Sequence, residues 1–235
     1  MKQVFILTPF PKMVDAIISE SILGRSEKKN LVKFHIINLF DFSNSSHQRI
    51  DDYPFGGGVG MILKPEPMFR AYDKILSELP CDSELKVVFP TPDGQLLNHK
   101  LAFNLSQSEN LIFICGHYKG IDQRIRNNIV TDEISIGDYV ITGGELASII
   151  ILDASIRLIP GVLNSFESAQ SDSFSQTLLD CPYYTRPEIY REMKTPEVLL
   201  SGNHKKIEDW KKNKRIQKTK DRRPDLWEKY NKLDE

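Results

Sequence analysis

The sequence is poor in cysteine and contains no long apolar run. Its 235 residues include only Cys81, Cys115 and Cys181, which lie far apart and form no Cys-x-x-Cys pair. This spacing argues against a disulfide framework and against the usual zinc sites, and it fits a reducing cytoplasm. No apolar run approaches the ~20 residues of a transmembrane helix. Residues 1–7 carry one cation and a short apolar run, which predicts a first strand rather than a signal peptide.

The sequence as a whole also has no large excess of positive or negative residues, since 31 Lys and Arg nearly balance 32 Asp and Glu. The balance is uneven along the chain. Residues 203–235 contain twelve basic and seven acidic residues, a net charge of +5, which leaves −6 for the remainder. The densest basic segment, 211–215, suits phosphate backbones, although it also suits a solvated helix face. Trp210 and Trp227 flank this segment and could stack on bases or anchor helices to a small core.

Short apolar strands alternate with helical segments in the first two thirds of the chain. The pattern predicts strands at 3–7, 32–37, 86–90, 111–115 and 133–136. It predicts helices at about 13–23, 65–79, 99–105, 123–128 and 144–158. Such alternation predicts an α/β fold with a mostly parallel sheet covered by helices. Taken alone, the pattern favours a flavodoxin-like sheet.

A change in composition predicts two domains and a linker. Pro160-Gly161 should end the apolar helix, because proline cannot continue it and glycine tolerates the reversal. Residues 163–175 are polar and rich in serine, which is typical of an exposed linker. A helical domain should follow at 176–235, with helices starting near Pro187, Thr195 and Asn203. The first domain then covers 1–162.

Three glycine-containing loops each follow a predicted strand, at 91–94, 115–120 and 136–144. Glycines let backbone N–H and C=O groups approach a ligand closely, because no Cβ intervenes. One such loop alone is more often an ordinary strand-to-helix connection. Three within about fifty residues predict one pocket built largely from backbone. A fourth glycine-rich segment, 55–60, lacks the Gly-Lys-Ser/Thr ending of a phosphate-binding loop, so a nucleotide triphosphatase is not expected.

Motifs along nearly the whole chain closely resemble the bacterial TrmD family. They include Pro54-Phe55-Gly56-Gly57-Gly58-Val59-Gly60-Met61, Gly116-His117-Tyr118-Lys119-Gly120-Ile121-Asp122, Ser135-Ile136-Gly137-Asp138-Tyr139-Val140, Gly143-Gly144-Glu145-Leu146, Asp172-Ser173-Phe174 and Leu199-Leu200-Ser201-Gly202-Asn203-His204. Enzymes of this family are tRNA (guanine-N1) methyltransferases that use S-adenosylmethionine. The resemblance therefore implies methylation of the guanine just 3′ of the anticodon, guanosine 37, with tRNA as the partner.

The resemblance also implies a particular fold and assembly. The α/β sheet would be of the SPOUT type, with a deep trefoil knot formed by about residues 89–157. A small C-terminal α-helical domain would bind tRNA, and the enzyme would be a cytoplasmic homodimer without a membrane segment. A magnesium requirement is implied as well, but the sequence contains no ligand cluster for a fixed metal site.

Site residues follow from the same resemblance. Asp172 would be the general base that removes the proton from guanine N1, and Arg157 would orient the base and meet the charge on O6. The implied S-adenosylmethionine pocket consists of Pro90, Thr91, Gly94, Gly116, Tyr118, Gly120, Ile136, Gly137, Tyr139, Ile141, Gly143 and Gly144. Lys119 departs from the family pattern, since many relatives have glutamate there. A lysine would repel the ammonium and sulfonium of the cofactor and attract its carboxylate.

Two other functions are compatible with this type of fold. A non-catalytic RNA-binding SPOUT protein would not need both Asp172 and Arg157, which the chain retains. A ribose 2′-O-methyltransferase would leave the Asp172 segment and the basic helical domain unexplained. Methylation of guanine N1 accounts for all of these features.

Overall fold

The computed structural model describes residues 1–81, 83–163, 173–174 and 177–232. The chain divides into two compact units, Met1–Asn164 and Ser165–Glu235. Asp172 and most of the predicted linker lie outside the described residues. Of the described helices, none combines the length and the apolarity that a membrane crossing requires.

A five-stranded parallel sheet forms the centre of the first unit, in the order β2-β1-β6-β5-β7. Its strands are β1 Lys2–Thr8, β2 Val32–Asn38, β5 Leu85–Leu96, β6 Asn110–Ile114 and β7 Asp132–Ser135. A two-stranded antiparallel ribbon, β3 Asp51–Asp52 with β4 Ile62–Leu63, lies apart from this sheet. The α/β class and the parallel sheet predicted from the sequence are confirmed.

Helices cover both faces of the sheet. The first unit contains α1 Pro11–Ile18, α2 Ser21–Lys28, α3 Pro65–Glu78, α4 His99–Gln107, α5 Gln123–Asn128 and α6 Gly144–Ile156. Val4 and Ile6 of β1 pack with α1, α2, α4 and α6, whereas Phe5 and Leu7 pack with α3 and α5. Alternate residues of a strand point to opposite faces, so a strand covered on both sides reads as a continuous apolar run.

The strand order differs from the flavodoxin-like order predicted from the pattern alone. In a flavodoxin-like sheet the third core strand lies beside the first. Here β6, the fourth core strand, lies between β1 and β5, with Val4 opposite Leu111. The prediction was wrong because the segments 86–90 and 111–115 are both short apolar runs, and nothing in their local sequence specifies the neighbour of β1.

Two local predictions in the first unit were also wrong. The helix expected at 13–23 is two helices, because the polar segment Ser19-Glu20 interrupts it and Ser21, the first residue of α2, has a φ of 51°. The loop expected at 91–94 lies within β5, which continues to Leu96 with a register shift between Pro90 and Gln95. A bulge of this kind re-aims side chains without ending the strand.

The second unit contains α7 Glu197–Leu200, α8 His204–Arg222 and α9 Pro224–Asn231. The Asn203 side chain caps α8 by accepting a hydrogen bond from the Lys206 amide. The helix expected to start near Pro187 is instead a β-hairpin of β8 Ile189–Tyr190 and β9 Met193–Lys194. Its two turn residues, Arg191 and Glu192, both have positive φ angles, as a tight hairpin turn requires. The usual Asn-Gly or Asp-Gly signal is absent there, so the sequence did not reveal the hairpin.

Candidate active site

A cavity of about 190 Å³ lies at the carboxyl ends of β5, β6 and β7. The carboxyl edge of a parallel sheet is where ligands bind in open α/β folds, because the loops that follow the strands converge there. The wall consists of Phe89, Pro90, Thr91, Pro92, Gly116, His117, Tyr118, Lys119, Gly120, Ile134, Ser135, Ile136, Gly137, Tyr139, Val140, Ile141, Thr142, Gly143, Gly144 and Ala147. All three of the glycine-containing segments singled out in the sequence contribute to it.

Eleven of the twelve predicted cofactor residues line this cavity, and Gly94 does not. Gly94 lies where β5 approaches β7. A Cβ on Gly94 would come within 2.5 Å of the Ile134 amide nitrogen, so glycine is needed there for the two strands to pack. Residues that the sequence did not mark, such as Phe89 and Ile134, reach the cavity from strand interiors, where they look like ordinary core positions.

Gly144 ties two of the loops together. Its backbone N–H donates a hydrogen bond of 2.7 Å to the Gly116 carbonyl oxygen. A Cβ on Gly144 would lie 2.7 Å from the Gly116 nitrogen and 2.9 Å from Cys115 Cα. The space beside Gly144 is therefore filled by protein backbone. The glycine permits this close chain approach, in addition to contributing to the cavity wall.

Ion pairs brace the bulged part of β5. Arg126 contacts Asp93 at 2.7 Å and Glu133 at 2.7 Å, which links β5, α5 and β7. The Thr91 hydroxyl also donates a hydrogen bond to Asp93. Hydrogen bonds from Thr91 and then from Arg126 hold the pKa of the Asp93 carboxyl below its usual value. This network fixes Pro90 and Thr91 at the edge of the cavity.

Lys119 is the one side chain with a formal charge among the described residues that line the cavity. Its backbone N–H donates to the Met61 carbonyl at 2.9 Å, and its Cγ would lie 2.8 Å from a Cβ on Gly60. The glycine-rich segment 55–60 therefore adjoins the cavity through Lys119. Within that segment Phe55 and Val59 are almost completely exposed.

Tyr118 links the cavity to the β3–β4 ribbon. It has a φ of 61°, its ring is about half exposed, and it precedes Lys119 in a turn closed by a 3.0 Å bond from the Gly120 N–H to the His117 carbonyl. Burial, followed by the charge of Asp51, raises the pKa of the Tyr118 hydroxyl. The phenol therefore stays protonated near neutral pH and serves as a hydrogen-bond donor at the rim.

Of the two predicted catalytic residues, only Arg157 is described, and it does not line this cavity. Asp172 falls outside the described residues. Arg157 forms the C-cap of α6, and its backbone N–H donates to the Asp153 carbonyl at 3.3 Å. The cavity contacts the other end of the same helix, at Gly144 and Ala147. At 1.5 Å per residue, Arg157 and Gly144 are separated by roughly 20 Å along α6.

Some basic side chains of helix α8, in the second unit, form ion pairs within the chain, and others are exposed to solvent. The Arg215 guanidinium contacts the Asp180 carboxylate at 2.9 Å, and Lys211 contacts Glu208 at 2.8 Å. Burial alone would raise the pKa of Asp180, but hydrogen bonds from Tyr183 and Arg215 hold it below its usual value. Arg215 therefore has a structural role, and the exposed lysines of α8, which include Lys206 and Lys212, are better suited to an external anion.

In the part of the chain that the structure describes, no group of three or more His, Cys, Asp and Glu side chains is arranged to hold a metal ion.

Comparison with known proteins identifies the family of the chain. The family described as tRNA (Guanine-1)-methyltransferase TrmD matches residues 1–229. The chain is 51% identical over 230 residues to the tRNA (guanine-N(1)-)-methyltransferase of Brevibacillus brevis, covering 98% of this chain and 93% of that one. It is 49% identical over 226 residues to the protein of the same name from Clostridioides difficile, covering 96% and 97%. The chain therefore belongs to the TrmD family of tRNA (guanine-1)-methyltransferases.

Proposed function

We propose that this chain transfers a methyl group from S-adenosylmethionine to N1 of guanosine 37, just 3′ of the anticodon of tRNA, in the cytoplasm. The observation that carries the proposal is the cavity at the carboxyl edge of the sheet, where eleven of the predicted cofactor residues meet in a chain of the TrmD family. The cofactor would then bind in the first unit, and the basic helix of the second unit would bind tRNA.

The residues of the cavity suit S-adenosylmethionine. Ile136, Ile141 and Tyr139 offer apolar and aromatic surfaces for the adenine ring, and the glycine loops offer backbone N–H and C=O groups for its polar edge. Tyr118 and Lys119 add a hydroxyl and an ammonium at the rim. When bound, the cofactor supplies a methyl group already activated on a sulfonium, so no metal is needed to make the electrophile.

The chemistry at guanine N1 assigns roles to two side chains. N1 carries a proton, and Asp172 would accept it as general base. Negative charge would spread to O6 as that proton leaves, and the Arg157 guanidinium would stabilise it and fix the base in place. An aspartate in water is a weak base for this proton, and desolvation of Asp172 against the guanine would strengthen it.

These roles require two chains. Arg157 and the cavity are at opposite ends of α6, roughly 20 Å apart, which is beyond the reach of an arginine side chain. A second copy can bring its own Arg157 and Asp172 to the cavity of the first. Exposed apolar side chains of α1, of its N-cap residue and of α6 offer a surface for such a homodimer, namely Phe10, Met13, Ile17, Leu146 and Ile150.

We also propose that residues 89–157 form the deep trefoil knot of the SPOUT class. After the edge strand β7 the chain returns to the end of β6 in the middle of the sheet. There the N–H of Gly144, the first residue of α6, donates a hydrogen bond to the Gly116 carbonyl. This path supports the proposal that α6 is threaded through the loop at residues 115–120. An experimental structure in which α6 lies outside that loop would contradict the knot.

One experiment tests the reaction and its position. The purified protein is incubated with unmodified tRNA and S-adenosylmethionine labelled in the methyl group, and the modified nucleotide is mapped by nuclease digestion and mass spectrometry. We expect 1-methylguanosine at position 37. Methylation of a ribose would favour the 2′-O-methyltransferase alternative, and tRNA binding without methyl transfer would favour a non-catalytic RNA-binding protein.

A further inference from the structure

A buried carboxylate lies at the start of α6. Glu145 is the second residue of this helix and is only 1% exposed. The Thr8 hydroxyl donates a hydrogen bond of 2.8 Å to Glu145 Oε1, and the same hydroxyl oxygen accepts one of 2.9 Å from the Phe10 amide. The end of β1 therefore fixes the position of the Glu145 side chain.

The second oxygen of this carboxylate lies directly behind the cavity wall. A Cβ placed on Gly143 would be 2.5 Å from Glu145 Oε2 and 2.8 Å from Cδ2 of the His117 ring. Gly143 and His117 both line the cavity, whereas Glu145 does not. The Glu145 carboxylate therefore lies beside Gly143, a residue of the cavity wall.

Within the described part of the chain Glu145 forms no ion pair, and its side chain accepts a hydrogen bond from the Thr8 hydroxyl. The neighbouring Cys115 thiol is neutral, because burial and then the charge of Glu145 raise its pKa. The helix N-terminus stabilises a carboxylate only in part, and a buried charge without a partner is costly. A negative charge beneath a ligand cavity attracts a cation strongly, since buried charges are little screened.

We propose that Glu145 makes the cavity select a sulfonium over a neutral thioether. This inference rests on the proposed function, in which the ligand before transfer is S-adenosylmethionine and the product is S-adenosylhomocysteine. The two molecules share the adenosine and the amino-acid end and differ by one methyl group and one positive charge. The Glu145 charge favours the methyl donor, and its attraction is lost when the methyl group leaves, which favours release of the product.

Titration calorimetry with both ligands tests this proposal. Glu145→Gln keeps the side-chain length and an acceptor for Thr8 but removes the charge. We expect the preference for S-adenosylmethionine over S-adenosylhomocysteine to fall on the order of tenfold. Glu109→Gln is the matched control, since it removes an exposed charge at the amino end of β6, at the opposite edge of the sheet, and should leave the preference unchanged.

Each other result has a defined meaning. Equal loss of affinity for both ligands, or no change in either, would overturn the proposal and leave Glu145 as a structural tie between α6 and β1. If the wild-type chain bound neither ligand, the proposed function itself would fail. Circular dichroism verifies folding, and if Glu145→Gln is unfolded, Glu145→Asp serves instead, because it withdraws the charge by one methylene. The preference should then fall by a smaller factor, and an unchanged preference in a folded Asp variant would contradict the proposal.

Discussion

The Gly144 N–H and the Gly116 carbonyl oxygen are joined by a 2.7 Å hydrogen bond, which holds two loops of the cavity in contact. These residues are far apart in the sequence and follow different strands. Because the backbones touch, the cavity exists only where α6 starts against the end of β6. The stability of the fold and the binding of the ligand therefore depend on the same contact.

Gly144→Ala should destabilise the first unit. The new Cβ would meet the backbone of Cys115 and Gly116, which cannot move as a side chain can, and such overpacking costs roughly 1–3 kcal/mol. Gly116→Ala is the matched control, since its Cβ would meet the Phe89 ring at 2.9 Å, and a ring can shift. Thermal unfolding should show the larger loss for Gly144→Ala. Equal melting temperatures for the two variants would refute the close-packing role.

Lys119→Gln should weaken binding of S-adenosylmethionine and leave binding of 5′-methylthioadenosine unchanged. The second ligand lacks the amino-acid end, so it cannot report a contact between Lys119 and the carboxylate. We expect a loss of about tenfold for the full cofactor, as for one partly desolvated ion pair. Calorimetry measures both affinities, with Lys212→Gln in the second unit as the control. Tighter binding of the cofactor would mean that repulsion of its cationic groups dominates.

Asp172→Asn should slow methyl transfer on the order of 10²–10⁴-fold, the usual contribution of a general base. The amide keeps the size of the side chain but does not accept the proton readily. Affinity for S-adenosylmethionine should stay near the wild-type value, because the cavity is built from residues 89–147. Single-turnover methylation at saturating tRNA and cofactor is the measurement. A rate close to that of the wild type would remove Asp172 from the role of base.

Mixing two inactive variants should restore activity if each site uses two chains. Thr142→Trp fills the cavity from an exposed loop position, and Arg157→Ala removes the cation at the far end of α6. A mixed dimer has one cavity free of the tryptophan and one intact Arg157 on the partner chain. After subunit exchange, methylation should recover to a measurable fraction of the wild-type rate. Absence of recovery in verified mixed dimers would contradict a shared site.

Exposed lysines of α8 should contact tRNA phosphates. Replacing Lys206 and Lys212 with alanine should weaken tRNA binding and lower the slope of affinity against salt by roughly 2, if both contact phosphates of a duplex. Replacing Lys28 and Lys100, two exposed lysines of the first unit, should leave that slope unchanged. Arg215→Ala should instead lower the melting temperature of the second unit, since it breaks the contact with Asp180. If the variant that lacks Lys206 and Lys212 showed an unchanged slope, these lysines would face solvent and would not contact tRNA phosphates.

Local sequence determined the elements that bury apolar surface and the loops that contain glycine. The strands β1, β2 and β6 and the helices α3, α5 and α6 lie within a few residues of their predicted bounds, because continuous apolar runs and helical spacing are local signals. The glycine motifs likewise marked the cavity loops, and the family resemblance agrees with the family match. Glycine has no side chain to serve another purpose, so its recurrence after strands is itself informative.

Tertiary structure decided what these local signals leave open. The order of β5 and β6, the bulge that takes Gly94 out of the cavity and the Arg191-Glu192 hairpin turn all depend on contacts between distant segments. The separation of Arg157 from the cavity follows from the direction in which α6 runs. The position of Glu145 behind Gly143 requires β1 and α6 to meet, and no sequence pattern encodes that meeting. Sequence indicated which residues to expect at the site, and packing determined which of the described ones a single chain brings together.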